Sequence, residues 1–355
     1  MMTMRAAWAS RVRTRLFYSP GATLVTLALA ALLVWIGWHL LDWGVLRAVA
    51  APDYASCKVA GRGACWGFVA EKWRLILFGR YPFDAQWRPA VATAVVVAML
   101  LACTWPAWWT RRGVALLGLG WVLALALFFA LMLGGVFGLA RVGTERWGGL
   151  PLTVILTLIG MSASAPPGVL LALGRRSEMP LLRTLSSAYI ELMRGVPFIT
   201  VLFVATFVFP LVLPPGWRID PFWRIVIGMV LFQSAYMAET VRGGLQTLPR
   251  GQREAGISLG LEYWQLQRSI VLPQALVAVI PSFVNNLLST FMDTSLVTVV
   301  SMYDLTGALR LALGDPLWRD FFIEGYLFIA AIYFGCGFAM SRYSQWLERR
   351  LKVSV

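Results

Sequence analysis

The sequence has one histidine, His39, and three lysines, Lys58, Lys72 and Lys352, and these shortages exclude most of the chemistry that 355 residues could carry. No lysine ends a GxxxxGK[ST] run, so no loop cradles nucleotide phosphates and the chain cannot hydrolyse ATP by that route. GxSxG, HExxH and CxxC are missing, as is any carboxylate pair placed for acid–base work. With one histidine and no cysteine pair at zinc spacing, no metal site is expected. Charge is scarce as well, at 14% of residues against about 25% in soluble domains. Apolar residues make up 59% of the chain and the mean hydropathy is +0.71, which excludes a soluble globule.

A bilayer core of about 30 Å is crossed by about 20 apolar residues in a helix. Residues 22–41, 90–109, 113–140, 147–174 and 195–217 contain no charged residue and predict five spans. Three more follow from 222–245, which holds Arg224, Glu239 and Arg242 near its ends, from 274–292, which is clean before Asp293, and from the short 325–341. The expected fold class is an all-α integral membrane protein with about eight transmembrane helices.

A net charge of +14 would suit nucleic acid, but its placement is a topology signal. With the N-terminus inside, the inner segments hold Arg5, Arg11, Arg13 and Arg15, then Arg111 and Arg112, then Arg175, Arg176, Arg183 and Arg194. They also hold Arg242, Arg250, Arg253 and Arg268, then Arg342, Arg349, Arg350 and Lys352, so both termini are expected on the cytoplasmic side and no nucleic acid is needed. Ala48-Val49-Ala50 resembles a signal-peptide cleavage site, yet the apolar stretch before it exceeds the usual run of about 7–15 residues, and Asp42 and Arg47 intervene. Cys57 and Cys65, in the outer loop CKVAGRGAC, are a candidate disulfide in an oxidising compartment, whereas Cys103 and Cys336 sit within spans as small apolar residues. His39, beside Trp38 and Trp43, suits an interfacial anchor better than a ligand.

The chain divides near Trp147 into an N-terminal part, 1–146, with three spans and one long outer loop, a core, 147–349, with five spans, and a short inner tail, 350–355. No internal repeat supports an inverted-repeat transporter. The most informative segment is TLPRGQREAGISLGLEYWQLQRSIVLP (247–273), an amphipathic inner loop between two spans. Pro249 can start a helix, Glu254 is placed early where a carboxylate suits the helix dipole, and Ile257 and Leu261 share a face. Gly260 permits a break, Tyr263, Leu266 and Ile270 continue an apolar stripe, and Pro273 is expected to stop it before the next span. Such a face must bury itself on lipid, on its own bundle, or in a groove of a partner protein.

Glu254-Ala255-Gly256, then three residues, Gly260, nine residues and Ile270-Val271-Leu272-Pro273 resemble the EAA signature of bacterial ABC importer permeases, EAA-x3-G-x9-I-x-LP. Gly256 departs from the usual second alanine, and helix propensity there falls by about 1 kcal/mol. ELMRGVPFITVLF (191–203), SAYMAETVRGGLQTLPRGQ (234–252) and NNLLSTFMDTSLVTVVS (285–301) extend the likeness to the polar amino-acid permeases over about 200 residues, with Met292 where a lysine is common. The extra spans and the loop ending FGRYPFDAQWRP (78–89) look like the longer permease subunit of general L-amino acid importers.

That resemblance implies a type I ABC importer permease core, with no cofactor in this chain and ATP and Mg bound by a partner ATPase. It implies as partners an ABC ATPase dimer, a second homologous permease subunit, a periplasmic amino-acid-binding protein, the amino-acid substrate and the lipid bilayer. Glu254, Ala255, Gly256, Gly260, Ile270, Leu272 and Pro273 would couple the chain to the ATPase. A zwitterion needs a polar route through lipid, for which Gln233, Ser234, Glu239, Asn285, Asn286, Thr290 and Asp293 are the candidates. Each has a structural reading too: Glu239 pairing with Arg242, Asp293 capping a helix restarted at Thr294, and Asn285 and Asn286 joining helices. A secondary transporter or channel working without an ATPase is the alternative, and it would leave the amphipathic loop without a purpose.

Overall fold

The computed structural model describes residues 16–59 and 61–353. Arg5, Arg11, Arg13 and Arg15, on which the orientation partly rests, lie outside them, as do the last two residues of the tail. In chain order the helices begin with α1 (Pro20–Leu41), α2 (Tyr54–Cys57), α3 (Gly67–Phe78), α4 (Trp87–Thr104), α5 (Arg111–Leu133), α6 (Gly149–Arg175) and α7 (Pro180–Gly195). They continue as α8 (Phe198–Phe203), α9 (Pro221–Thr247), α10 (Arg250–Ser258), α11 (Tyr263–Leu266) and α12 (Leu272–Asp293). A two-residue strand β1 (Tyr303–Asp304), α13 (Leu305–Ala312) and α14 (Phe322–Val353) complete them.

Six helical runs among the described residues are long and apolar enough to cross a membrane: Pro20–Leu46, Phe83–Thr104, Arg111–Leu133, Gly149–Arg175, Tyr263–Val300 and Arg319–Arg350. Pro180–Gly195 and Phe198–Val212, bent by 104°, make a seventh if counted as one span. The 27-residue α9 is long enough to be an eighth, and Arg224, Gln233, Glu239 and Arg242 set it apart from the apolar six.

Two local expectations change. The tract 195–217 is helical only from Phe198 to Val212, because Val196, ahead of Pro197, is extended as a residue before proline prefers, and Leu213, ahead of Pro214, is extended again. Pro273 does not end the loop helix: helical structure runs unbroken from Tyr263 to Val300. A π-helical turn at Gln267–Val271 resets the hydrogen-bond register just before it, so Pro273 stands in the first turn of α12, where its missing N–H is tolerated.

The chain forms two compact units, residues 1–72 with 316–325 and residues 73–315 with 326–355. In the first, Ser19 caps α1 by accepting the Ala22 N–H at 3.2 Å, and no residue of α1 is buried against protein, as suits a helix facing lipid. The loop after it is tied by Val49 N–H to Ala64 O at 2.8 Å, by Gly67 N–H to Val49 O at 3.0 Å, and by a Cys57–Cys65 disulfide with Cα atoms 5.5 Å apart. Glu324 accepts the Cys65 N–H at 2.7 Å, and Trp318 packs against Tyr54, Phe68 and Phe321.

The second unit is built on α6 against α9. Leu152, Ile155 and Leu156 share a buried cluster with Ile225, Met229 and Phe232, capped by the fully buried Trp147 and Phe222 rings 5.3 Å apart. Small residues bring the two backbones close: a Cβ at Gly168 would lie 2.5 Å from Met237 Cβ, and Gly160 faces Met229. Arg88 and Tyr81 close the end of α5, donating to Leu131 O at 2.6 and 3.2 Å.

At the head of α6, Gly148 and Gly149 bridge to Tyr303 and Asp304 while residues 77–79 press on them from the other side. Gly149 has φ +62° and a Cβ there would lie 2.1 Å from Leu77 O; Gly79 has φ +60° and would meet Gly148 Cα at 2.6 Å. Both positions therefore require glycine. Gly149→Ala is expected to destabilise the protein by about 2 kcal/mol or more, since it adds positive-φ strain to a backbone clash. Thermal unfolding in nanodiscs checks this, and a wild-type melting temperature would show the crossing to be slack.

Candidate functional site

The loop leaving α9 is a compact helical knob. α10 is closed by two hydrogen bonds, Gly260 N–H to Ile257 O at 2.9 Å and Leu261 N–H to Gly256 O at 3.2 Å, with Gly260 left-handed at φ +75°. This is the Schellman arrangement, in which a glycine just beyond the helix lets the chain reverse. Gln265 then starts α11 by accepting the Glu262 N–H at 3.1 Å. Gly256 is buried under the reversal: a Cβ there would lie 2.3 Å from Leu266 Cδ1 and 3.3 Å from Ile270 Cδ1, which explains why the smallest side chain stands at this place.

Glu254 and Ala255 are exposed on α10. Glu254 lies in the second turn and not the first, so its contribution to the helix dipole is smaller than expected from the sequence. Ile257 and Leu259 are exposed apolar side chains at 56% and 78%, and Gly260 has open space where a side chain would point. The knob thus presents Ile257 and Leu259 outward together with small groups, the Glu254 carboxylate and the polar Gln252 and Arg253. Ile270, Leu272 and Pro273 lie on the far side of the reversal, where Ile270 and Leu272 pack on the buried cluster that contains Leu266 and Val271. Behind the knob is a cavity of about 380 Å³ whose lining includes Arg176, Leu248, Gln252, Arg253, Glu254, Tyr263 and Gln267.

The polar candidates within the spans do not form one group. Glu239 and Asn286 line a cavity of about 460 Å³ together with Arg194, Tyr236, Thr240 and Ser282. Asn286 donates to Thr240 Oγ1 at 2.9 Å, joining α12 to α9. Glu239 does pair with Arg242, at 2.8 Å, and also meets Arg175 at 3.4 Å and Arg194 at 3.8 Å. One carboxylate therefore pairs with three guanidiniums brought by α6, α7 and α9, while Glu191 takes a second contact from Arg175 at 3.1 Å. Ser234 donates to Leu231 O at 2.8 Å and lies 3.1 Å from the Tyr189 hydroxyl, away from that cavity. Gln233 and Thr290 are buried, with Thr290 donating to Asn286 O at 2.8 Å. Asn285 is exposed, and Asp293, the last residue of α12, makes no capping bond to the turn that begins at Thr294.

Sequence reasoning missed Arg175 and Arg194 as partners of Glu239, because arginines at span ends read first as orientation signals. Asp304 was missed as well. Fully buried, it accepts from Gly307 N–H at 2.9 Å, Thr298 at 2.9 Å and Tyr333 at 3.0 Å, and so caps α13. Burial holds its carboxyl above the usual aspartate range, partly offset by those donors.

Residues 164–353 match the family of binding-protein-dependent transport system inner membrane components. The chain is 43% identical over 347 residues to the inner membrane amino-acid ABC transporter permease protein YhdY of Escherichia coli (strain K12), covering 96% of this chain and 92% of that protein. It is 36% identical over 421 residues to the glutamate/glutamine/aspartate/asparagine transport system permease protein BztC of Rhodobacter capsulatus, covering 99% and 97%. Among solved structures, a crystal structure of an amino acid ABC transporter with histidines is similar, with TM-score 0.51 and 29% identity over 57% of this chain and 92% of that one.

Glu239→Gln leaves three guanidiniums around one neutral amide and is expected to cost about 1–3 kcal/mol of stability, with part regained in Glu239→Gln/Arg242→Gln. Unfolding of the two variants in nanodiscs measures this. Equal melting of the single variant and the wild type would mean that the cluster is not holding α6, α7 and α9 together.

Proposed function

This chain belongs to the family of binding-protein-dependent transport system inner membrane components, and on that premise we propose that it is the long permease subunit of an importer of L-amino acids. A homologous second permease completes the pathway, a dimer of ATPase subunits binds ATP and Mg on the cytoplasmic side, and a periplasmic binding protein delivers the amino acid. Both termini and the loop 249–273 face the cytoplasm, and the loop docks into the ATPase. Amino acids as substrate are supported by the two relatives that match this chain nearly end to end, an amino-acid transporter permease and a glutamate/glutamine/aspartate/asparagine transport system permease.

The observation that carries the coupling role is the shape of the knob. A nine-residue helix that turns back at a left-handed glycine exposes Glu254, Ile257 and Leu259, and is anchored through the buried Gly256, which faces Leu266 and Ile270. What remains outward is a short ridge suited to a groove, with Glu254 available to basic or backbone donors of a partner. Movement of this ridge acts directly on α9 and α12, which flank it in the chain. Between those two helices Glu239, Thr240 and Asn286 supply polar groups along the route on which a zwitterion crosses.

Gly260 faces open space within this chain, so a side chain there clashes with nothing of its own protein, and aspartate is among the few residues that adopt the left-handed φ of +75° this position requires. Gly260→Asp and Glu254→Arg are expected to fold, to lose the co-purifying ATPase, and to reduce ATP-driven uptake into proteoliposomes at least about tenfold, a loss of about 1.4 kcal/mol or more of coupling. Tagged purification in mild detergent with mass spectrometry reads the first effect. Retention of the ATPase at full uptake in both variants, or transport by the purified chain alone without ATP, would overturn the reading.

A further inference from the structure

Gln267 is 7% exposed, and its side-chain carbonyl, Oε1, has no hydrogen-bond donor. A buried acceptor left without a donor is uncommon in a folded protein and points to a missing partner. Gln267 lines the cavity of about 380 Å³ behind the knob, and so do two cations, Arg176 and Arg253, and one carboxylate, Glu254. Arg176 spends one N–H on Leu245 O at 3.3 Å, leaving the other donors of its guanidinium for a guest. Leu173 and Leu245 add an apolar wall, and the volume is ample for a molecule of about ten heavy atoms.

These groups narrow the guest. An anion alone answers the arginines and leaves the Gln267 carbonyl bare; a cation alone satisfies that carbonyl and Glu254 but leaves both guanidiniums unanswered in a lining of net positive charge. A molecule with a carboxylate and an ammonium a few ångströms apart satisfies both, and an apolar or amphipathic side chain then lies on the leucines. We propose that this cavity is a second amino-acid site, outside the transport route, that takes a free α-amino acid from the side on which the knob lies. It rests on the reading that the chain imports amino acids, since only then does such a product accumulate on that side.

The cavity is walled by the end of α6, the end of α9, α10 and the start of the α12 run, so an occupant links the knob to the spans. Occupancy fixes their spacing and slows the cycle as product builds up. The ligand's carboxylate is read by guanidinium donors and its ammonium by one carbonyl, so a broad set of amino acids binds and simple acids and amines do not.

The test uses the chain in nanodiscs titrated with L-glutamine, butyrate and butylamine by calorimetry, and the assembled importer in proteoliposomes with L-glutamine preloaded on the ATPase side. Saturable binding of L-glutamine is expected, weaker by at least tenfold in Gln267→Leu and in Arg176→Gln, with neither butyrate nor butylamine binding. Preloading is expected to slow uptake by the wild type and not by Gln267→Leu, whose uptake without preload equals that of the wild type. Should Arg176→Gln fail to fold, Arg253→Gln takes its place. Binding that is absent, or that Gln267→Leu leaves unchanged while ATP-driven uptake proceeds, overturns the site alone; absence of L-glutamine uptake by any assembled importer overturns the amino-acid reading beneath it.

Discussion

The close crossing of α6 and α9 is the constraint on which the rest depends. Lipid offers helices no hydrophobic reason to associate, so they hold together by contact and by hydrogen bonds. Glycines supply the contact here, with Gly168 against Met237 and Gly160 against Met229, so that neither helix can shift without parting from its neighbour. The same helices carry Arg175, Glu239 and Arg242 at one end and meet Trp147 and Phe222 at the other, so the polar and aromatic groups of the core are placed by one interface.

On that frame, charge does local work. Glu239 holds arginines from three helices where a bare guanidinium in lipid would be expensive, and of these Arg194 lines one polar cavity together with Glu239, Thr240 and Asn286. The chain is a permease by family, and its packing and electrostatics place these polar groups where α7, α9 and α12 meet.

Much of this was legible in the sequence, since span count and knob position follow from two simple periodicities. Charge-free tracts mark most of the spans because desolvation forbids anything else, and Gly260 marks the reversal because few other residues tolerate a left-handed φ. What was not legible depends on three-dimensional company. Arg175 and Arg194 read as orientation signals, and only the fold shows that they share Glu239. Pro273 reads as a helix stop, and only the π turn before it shows how the helix goes on. Gly256 reads as a weak helix former, whereas Leu266 across the reversal leaves room for nothing larger. The N-terminal spans, beyond the reach of the solved structure that covers 57% of the chain, are matched by the two full-length relatives.

The unbroken run from Tyr263 to Val300 has a mechanical meaning. Thirty-eight residues of helix make a rod of about 55 Å, with the knob at one end and Asp293 near the other. A rod pivoting near its middle converts a tilt of about 5° into opposite displacements of roughly 2 Å at its two ends, with no need for any side chain to relay the motion. Two places break its regular hydrogen bonding, the π turn at Gln267–Val271 and Pro281 inside α12, whose ring nitrogen has no N–H to donate, so bending at either spends part of a tilt before it reaches the far end. The stiffness at these two places thus sets how much of a displacement at one end of the run arrives at the other.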